Sequence, residues 1–431
     1  MRRVVQLLLF LLLASGLNAF DVGGELSSES AVSGTFGALP DFSQRARGEL
    51  RLAYSPADPV TLGFTGGYLY TIDDSDPLDW DNVIFSELSY SLRSSLAGGG
   101  EFAVTLGRFH LTDPTGSIYD DQLDGASVKM SSAALALRFS GGYTGLLFDH
   151  DNTILLSRAD ASARFDEDPL GPPRVLIEVA SDLRVPSIGM TLRASILGQF
   201  DFHDPGPLAL PGDTTLASGG AVNTQYQTLG VSGSFAGVFD YAVSGTVNTG
   251  TTLYYDGSQY VSAPIRALLA DGLFRYAPDV ALDPRIELNA LFATGDDDAV
   301  SLIEGNTGGA ATSFVPVSNR SLAVVADPFL ANLFRGQLSL AVAPPASSAD
   351  ALRVAVHGTT FLQPSSGASP FPGVGSGHSG YVGTEVALVL ESSPVRFFNV
   401  LVESGIYFPS AAAYGSSEPQ YTLSGTASLS F

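Results

Sequence analysis

The last eleven residues of the chain, YTLSGTASLSF (421–431), alternate strictly between two kinds of side chain. Tyr421, Leu423, Leu429 and Phe431 fall on one parity, with only glycine and alanine between them, whereas threonine and serine occupy the other parity. This period of two indicates a β-strand with two chemically different faces. Such a strand suits a soluble sandwich, whose apolar face packs on a second sheet, or a membrane barrel, whose apolar face meets lipid.

The same alternation recurs upstream and predicts eighteen strands, with sixteen as the alternative count. No segment keeps the 3.6-residue spacing of an amphipathic helix, and no apolar stretch after the N-terminal region approaches eighteen residues. The predicted strands are 20–36, 45–54, 59–70, 83–94, 101–111, 124–131, 133–144, 173–183, 187–202, 222–235, 238–249, 261–276, 284–294, 327–342, 351–362, 379–391, 396–408 and 419–431.

The links between these strands favour the membrane barrel over the sandwich. Short links at 55–58, 96–100, 131–132, 184–186, 236–237, 277–283, 343–350 and 392–395 alternate with longer ones. Outer-membrane barrels have short turns on one side, long loops on the other, and aromatic residues at both interfaces. Outward-parity aromatics fall near both kinds of link: Tyr70, Tyr143, Phe202 and Phe408 near long loops, and Tyr54, Phe235, Phe239 and Phe431 near short turns. The predicted fold class is therefore all-β, a transmembrane up-and-down antiparallel β-barrel in contact with outer-membrane lipid.

The N-terminal residues have the features of an export signal. Arg2 and Arg3 precede an apolar run of about eleven residues, too short to span a membrane, and Ala19 offers a small residue for cleavage. We therefore predict a signal peptide at 1–19 and a single barrel domain at 20–431, with no plug domain before the first strand. The predicted location is the outer membrane of a diderm bacterium.

Composition excludes several other classes of protein. The 431 residues contain no cysteine, which removes zinc-finger, thiol-catalytic, disulfide-stapled and lipoprotein interpretations. The formal net charge of −23 argues against nucleic-acid binding, because phosphate backbones repel so acidic a chain. Charged residues make up 15% of the chain, below the roughly 25% of ordinary soluble proteins.

Acidic and basic residues fall in different parts of the predicted barrel. Most aspartates crowd into the long links, whereas the inward parity of the strands carries arginines together with a few acids. Arginine forks two hydrogen bonds onto a carboxylate, so these residues suit either wall-bracing ion pairs or a pathway that attracts anions. Because the mouth is acidic, the direction of ion selectivity stays open. The candidate pore-lining residues are Arg47, Arg51, Arg93, Arg108, Arg138, Arg193, Arg285, Arg335, Arg353, Glu287, Glu385 and Glu403.

One segment departs from regular alternation. Phe102, Val104 and Leu106 share the outward parity, but Phe109 and Leu111 then take over the outward role. This change predicts a β-bulge at Gly107-Arg108, which would return Arg108 to the lumen. The loop at 110–123 contains the turn signal Asp113-Pro114-Thr115-Gly116 and suits either a fold into the barrel mouth or an ordinary surface loop.

The same segment resembles part of the alginate-export porins. Leu106-Gly107-Arg108-Phe109, an aspartate-containing loop and Leu123-Asp124-Gly125 are similar to a strand, loop and strand of that family. The resemblance implies eighteen strands and an arginine-rich conduit for an anionic polymer. Phe431 at the end of an alternating strand resembles the signal read by the barrel-assembly machinery, which makes that machinery a predicted partner.

Catalytic and metal-binding patterns are weak, and neither a catalytic residue, a metal site nor a cofactor is predicted. The five histidines form no His-x-x-x-His or HExxH arrangement. The aspartates at 73–76 and 296–298 could offer oxygen ligands to calcium, but neither run has EF-hand spacing.

We therefore predict a non-enzymatic channel that lets small hydrophilic solutes, including anions, diffuse passively across the membrane. The alternatives are a structural or adhesive barrel with acidic surface loops and an outer-membrane hydrolase with a Ser/His site. A homo-oligomer stays open, because an apolar outward face suits both lipid and a second copy.

Overall fold

The computed structural model describes residues 20–431 except 37, 58–59, 74–78, 97–98, 149–151, 158–159, 161–169, 204–221, 256–259, 304–305, 344–351, 376 and 396. The predicted signal peptide at 1–19 lies outside the described residues. Its removal, and the assignment of 20–431 to a single domain, stay predictions.

Eighteen strands form one closed antiparallel barrel in which each strand pairs with its neighbour in sequence and β18 pairs with β1. The strands are β1 Phe20–Thr35, β2 Asp41–Ala57, β3 Val60–Asp73, β4 Asp79–Leu96, β5 Gly100–Thr112, β6 Asp120–Ser131, β7 Leu135–Tyr143, β8 Arg174–Val185, β9 Met190–Asp201, β10 Asn223–Phe235, β11 Phe239–Tyr255, β12 Tyr260–Tyr276, β13 Arg285–Ala293, β14 Leu333–Val342, β15 Leu352–Gln363, β16 Gly380–Val395, β17 Phe398–Pro409 and β18 Gln420–Ser430. A 3-10 turn at Pro186–Ile188 and a one-turn helix at Ala411–Tyr414 complete the regular structure described. The predicted all-β barrel of eighteen strands is confirmed, and the alternative of sixteen is wrong.

The link lengths alternate less strictly than the sequence predicts. β11 and β12 each run for 17 residues, so only residues 256–259 join them, whereas residues 277–284 form the next link on the opposite side. Alternation of side chains ends before these strands do, because pairing outside the membrane needs no apolar outer face.

The two faces of the wall differ as a membrane barrel requires. On β8, Ile177, Val179 and Leu183 are exposed on the outside, while Leu176 and Glu178 on the other parity are buried inside the barrel. Of the predicted interface aromatics, Phe202, Phe235, Phe239, Phe408 and Phe431 are exposed, whereas Tyr54, Tyr70 and Tyr143 are half-buried. Of the helices described, none has the length and apolar character needed to cross a membrane.

The barrel closes where the C-terminal residue meets the first strand. Gly24 N–H donates to Phe431 O at 2.9 Å and Phe431 N–H donates to Gly24 O at 3.0 Å. The Phe431 ring lies over Gly24, so a Cβ there would come within 2.5 Å of the ring and 2.7 Å of Glu49 O. Closure therefore needs glycine at this position. Recognition of Phe431 by the assembly machinery stays a prediction.

We expect Gly24→Val to impair closure, because the new side chain meets both the Phe431 ring and the backbone of β2. The measurement is heat-modifiable migration on SDS gels of the protein assembled in outer membranes, where the variant should lose most of the compact form. Gly425→Ala on β18 is the matched control, since a Cβ at Gly425 meets nothing within 4 Å. Equal compaction of the two variants would contradict this account.

Candidate functional site: the lumen and its inward hairpin

The end of the β5–β6 hairpin leaves the wall and enters the lumen. Pairing of β5 with β4 stops at Arg108, and pairing of β6 with β7 begins only at Asp124, while β5 and β6 stay paired with each other as far as Thr112 and Asp120. We call residues 108–124 the inward hairpin. Its apolar residue Leu111 is buried with residues of other loops in one cluster inside the barrel.

Two opposed glycines lie where the hairpin leaves the wall. Gly107 faces Gly125 in the register and has a φ of 105°, a value that favours glycine. A Cβ on Gly107 would overlap Leu88 O, and a Cβ on Gly125 would overlap Gly141 O. Only residues without a side chain therefore let both strands turn inward at this level.

The predicted bulge at Gly107-Arg108 is not found. β5 stays in unbroken register with β4 and β6 through this point, and the bulge in the neighbourhood lies in β4, between the pairs Thr65–Glu87 and Gly66–Phe85. The predicted outward role of Leu111 is wrong as well, because Leu111 is buried in the lumen. A hairpin that folds inward and a β-bulge both shift the apolar residues from one parity of the strand to the other. A single sequence therefore does not distinguish the two causes.

Arg108 is buried at the root of the inward hairpin, with 5% of its surface exposed. Its guanidinium binds both carboxylate oxygens of Asp124, at 2.9 and 2.6 Å. It also donates to Phe85 O on β4 at 3.0 Å and to Leu146 O, beyond β7, at 2.7 Å. The predicted pore-lining residue Arg108 therefore joins three segments of chain.

An aspartate organises the tip of the hairpin. Asp113 accepts hydrogen bonds from the backbone N–H groups of Thr115, Ile118 and Tyr119 at 2.8–3.0 Å and from the Thr115 hydroxyl at 2.7 Å. These bonds satisfy donors that have no strand partner in the turn. The predicted turn at 113–116 is thus part of a fixed structure inside the barrel.

Two wall arginines hold this tip. Arg138 on β7 donates to Thr112 O at 2.6 Å while its guanidinium also binds Glu178 at 2.7 and 2.8 Å. Arg193 on β9 donates to Pro114 O at 2.6 Å and to Asp182 at 2.9 Å. Each is the fourth residue of its strand counted from the short turn. The tip therefore reaches into the short-turn half of the lumen.

A second segment, the inner loop at 294–332, meets the tip from the other side. Val317 N–H donates to Ile118 O at 2.8 Å, and Asp120 N–H donates to the Ser318 hydroxyl at 2.8 Å. Arg320 of the inner loop donates to Gly116 O at 3.1 Å. The hairpin and the inner loop thus form one continuous obstacle in the lumen.

The inner loop is fastened to the distant wall. Glu385 on β16 accepts hydrogen bonds from the N–H groups of Val324, Val325 and Ala326 at 2.9–3.0 Å. Arg335 on β14 donates to Leu322 O at 2.8 Å. Since β7–β9 and β14–β16 are centred seven strands apart on the eighteen-strand ring, the obstacle crosses most of the lumen.

Apolar packing seals one side of this obstacle. The buried cluster joins inward residues of β8–β10 and β12–β17 to residues of the long loops, including Tyr226, Phe314 and Tyr407. Among the described residues, no buried member of the cluster comes from β1–β4 or β18. The inward faces of those five strands, which are polar and charged, are therefore not covered by buried residues of this cluster.

The outer loops are also joined to each other. Asp297 in the inner loop accepts hydrogen bonds from the backbone N–H and hydroxyl of Ser366 at 3.0 and 3.2 Å, and these bonds lower the pKa of Asp297. Burial raises the pKa of the neighbouring Asp296. The aspartates at 296–298, considered above as calcium ligands, therefore connect two loops. Residues 74–76 of the other candidate run lie outside the described residues.

A buried charge cluster, absent from the predicted sites, fixes two more loops at the rim. Arg174 is fully buried, with Asp160 at 2.7 Å and Asp201 at 3.1 Å, and His203 lies 2.7 Å from Asp201. The sequence places Arg174 on the inward parity but gives no sign that Asp160, fourteen residues earlier in the chain, is its partner. Local patterning carries no information about such contacts.

Most predicted pore-lining charges are paired. The pairs are Arg47–Glu49 at 2.5 Å, Arg93–Glu101 at 3.5 Å, Arg138–Glu178 at 2.7 Å, Arg193–Asp182 at 2.9 Å, Arg275–Glu287 at 2.7 Å, Arg285–Asp283 at 3.0 Å and Arg353–Asp283 at 3.4 Å. Arg51, Arg335 and Glu403 form no ion pair with any described residue. The wall-bracing role therefore describes most of the inward arginines.

Three of the candidates meet in one recess of about 540 Å³ under the hairpin tip. Arg93, Arg138 and Arg193 line it together with Lys129, the single lysine of the chain. The register places Arg93, Ala103, Lys129 and Arg138 side by side across β4–β7. Lys129 has no ion pair with any described residue, so this row of cations is not fully neutralised.

The arrangement offers little for hydrolysis or metal chemistry. His357 Nδ1 lies 2.7 Å from the Ser339 hydroxyl on the neighbouring strand. Glu287, opposite Ser339 in the register, binds Arg275 instead, and no described carboxylate hydrogen-bonds His357. In the described part of the chain, no three His, Asp or Glu residues are grouped to hold a metal ion.

No family model and no curated protein matches the chain. Solved structures do match: Pseudomonas aeruginosa OccK8 (OprE) has a TM-score of 0.57 at 11% identity, covering 96% of this chain and 98% of that one. The chain has the fold of the outer-membrane porins. P. aeruginosa OccK2 (OpdF) in complex with glucuronate has a TM-score of 0.54 at 11% identity, covering 96% and 98% of the two chains. P. aeruginosa OpdK with vanillate has a TM-score of 0.55 at 11% identity, covering 95% and 99%.

These porin structures agree with the closed barrel, and the predicted location in a Gram-negative outer membrane is confirmed. The resemblance to alginate-export porins gains no support from them. The Gly107 and Asp124-Gly125 motifs instead have a structural explanation as the root of the inward hairpin.

Glu385→Ala should release the inner loop from the wall. Each hydrogen bond to a charged acceptor contributes about 1.5–3 kcal/mol, and the substitution leaves three N–H groups without their acceptor. We expect trypsin to cleave after Arg320 in the variant at least several times faster than in the wild type, measured on the assembled barrel. Glu391→Ala, at an exposed position of the same strand, is the control and should leave the rate unchanged.

Proposed function

We propose that the protein is a channel for passive diffusion of small hydrophilic solutes, and that it favours anions. The channel is the passage beside β1–β4 and β18, narrowed by the inward hairpin and the inner loop. Transport through it needs neither a cofactor nor covalent chemistry.

The observation that carries the proposal is the unequal neutralisation of charge along the obstacle. Lys129 beneath the tip and Arg335 at the far wall form no ion pair with described residues, whereas most other inward arginines do. Arg335 binds only neutral acceptors, namely Leu322 O, the Asn289 amide oxygen at 2.7 Å and the Gln337 amide oxygen at 3.3 Å. Cations in this state contribute a positive potential to the lumen around the obstacle.

The neighbouring structures support the same solute class. Glucuronate and vanillate, named with OccK2 (OpdF) and OpdK, are both carboxylates. At 11% identity these names supply a solute class to test rather than a substrate. The arginine lining is thus proposed to act through a few unpaired cations and not through the whole predicted set.

The test is conductance of the mature barrel in planar lipid bilayers under a potassium chloride gradient. We expect open, ohmic channels whose reversal potential lies toward the chloride equilibrium potential. Lys129→Gln should lower the chloride-to-potassium permeability ratio about two- to five-fold, because a unit charge at ~4 Å in water contributes about 1 kcal/mol.

Arg266→Gln is the control, because Arg266 is exposed on the outward parity of β12. This variant should keep the wild-type reversal potential. A barrel that never conducts in repeated insertions would overturn the channel, and a cation-selective wild type would overturn the anion preference alone.

A further inference from the structure

The inward hairpin leaves a break in the pairing of the wall. Beyond Leu88, as far back as Asp79, β4 pairs only with β3 among the residues described, and β7 ends at Tyr143. The part of β4 from Leu96 to Leu88 is about as long as a bilayer-spanning strand of nine to eleven residues. The break therefore lies near the outer interface, where side chains must satisfy what the missing pairing does not.

Arg108 fills this break. Its guanidinium reaches Phe85 O on the β4 side and Leu146 O on the β7 side, and its carbon atom lies 4.9 Å from the centre of the Phe85 ring. Asp124 holds the guanidinium in the plane needed for both carbonyl bonds through its two oxygens. A fork of several N–H donors is required here, which lysine does not possess.

The contacts at the other end of the hairpin are of a different kind. Arg138 and Arg193 reach the tip through the single carbonyls Thr112 O and Pro114 O, while their charges stay paired with wall acids. The Arg108–Asp124 pair has side-chain exposures of 6% and 21% and is the ion pair at the root. Gly107 and Gly125 lie beside it, and glycine is the residue whose backbone can adopt the widest range of conformations.

We propose that Arg108 and Asp124 form a clasp that fixes the root of the inward hairpin and thereby regulates the width of the channel. When the clasp opens, the hairpin pivots on Gly107 and Gly125 and enters the passage beside β1–β4. Arg108 is the fastening residue, and Asp124 is a positioning residue that acts through it. This inference rests on the proposed channel function.

Single-channel recording of the mature barrel tests the clasp. Arg108→Ala and Asp124→Asn should raise the frequency of closing or partial-closing events roughly ten-fold or more, as expected from loss of charge-assisted hydrogen bonds. Arg108→Lys should give an intermediate frequency, because a single ammonium nitrogen cannot bind both oxygens of Asp124 and also reach carbonyls on two separate segments. Arg275→Ala removes an arginine–carboxylate pair of the wall away from the hairpin and should keep the wild-type frequency.

A locking experiment separates hairpin motion from other sources of closure. The chain has no cysteine, so Asp120→Cys with Ser318→Cys introduces a single disulfide between the hairpin and the inner loop. Asp120 N and Ser318 Oγ are 2.8 Å apart, which puts the two positions side by side. In the Arg108→Ala background the oxidised pair should restore quiet channels, and dithiothreitol should bring the closures back.

Backbone amide hydrogen–deuterium exchange of residues 108–124 in micelles measures the mobility of the hairpin independently of conductance. Exchange should speed up in Arg108→Ala and Asp124→Asn and stay slow in Arg275→Ala. Unchanged exchange and unchanged closing in the clasp variants overturn the inference, even where the wild type conducts. A wild-type protein that never conducts overturns the proposed channel function. In that case the clasp is still tested by exchange, and it is overturned if Arg108→Ala and Asp124→Asn leave the exchange of the hairpin unchanged.

Discussion

Arginine side chains that bind a polar group of the wall and, at the same time, a main-chain carbonyl outside the sheet are the interaction on which this lumen depends. Arg108, Arg138, Arg174, Arg193 and Arg335 each combine a carboxylate or amide with such a carbonyl. Within a membrane barrel, irregular backbone is tolerated only where protein groups or water satisfy it. A planar fork of five donors does this from one side chain, which gives a physical reason for twenty arginines beside one lysine.

The same constraint explains why the loops form a core. Segments that enter the lumen bring donors as well as carbonyls, and Glu385 and Asp113 collect those donors on carboxylate oxygens. Once these polar groups are paired, the apolar residues of the same segments pack against the inner wall, as Phe314 does against Tyr226. One side of the barrel interior is therefore built like a soluble protein, whereas β1–β4 and β18 contribute no buried residue to this packing among the residues described.

The sequence predicts the wall far better than its contents. Alternation is a local property with a direct physical cause, so the eighteen strands and the outward face could both be predicted from it. The inward turn at Gly107 and Gly125 could not, because its effect on parity is the same as that of a bulge. Contacts such as Arg174–Asp160 and Glu385–Val324 depend on where the loops fold in three dimensions, and no spacing along the chain encodes them.

The ion pairs of the inward arginines change what the distribution of charge implies about the lumen. The net charge of −23 is concentrated in outer segments, and an inward parity rich in arginine suggests a strongly cationic conduit. Because a cross-strand carboxylate cancels most of each guanidinium field, the paired arginines add little net positive potential to the lumen. Lys129 is an exception, because it forms no ion pair with a described residue. It lies between Ala103 and Arg138 in the register, and Arg138 already binds Glu178 and Thr112 O. A lumen can thus be lined with arginine for structural reasons without being strongly cationic.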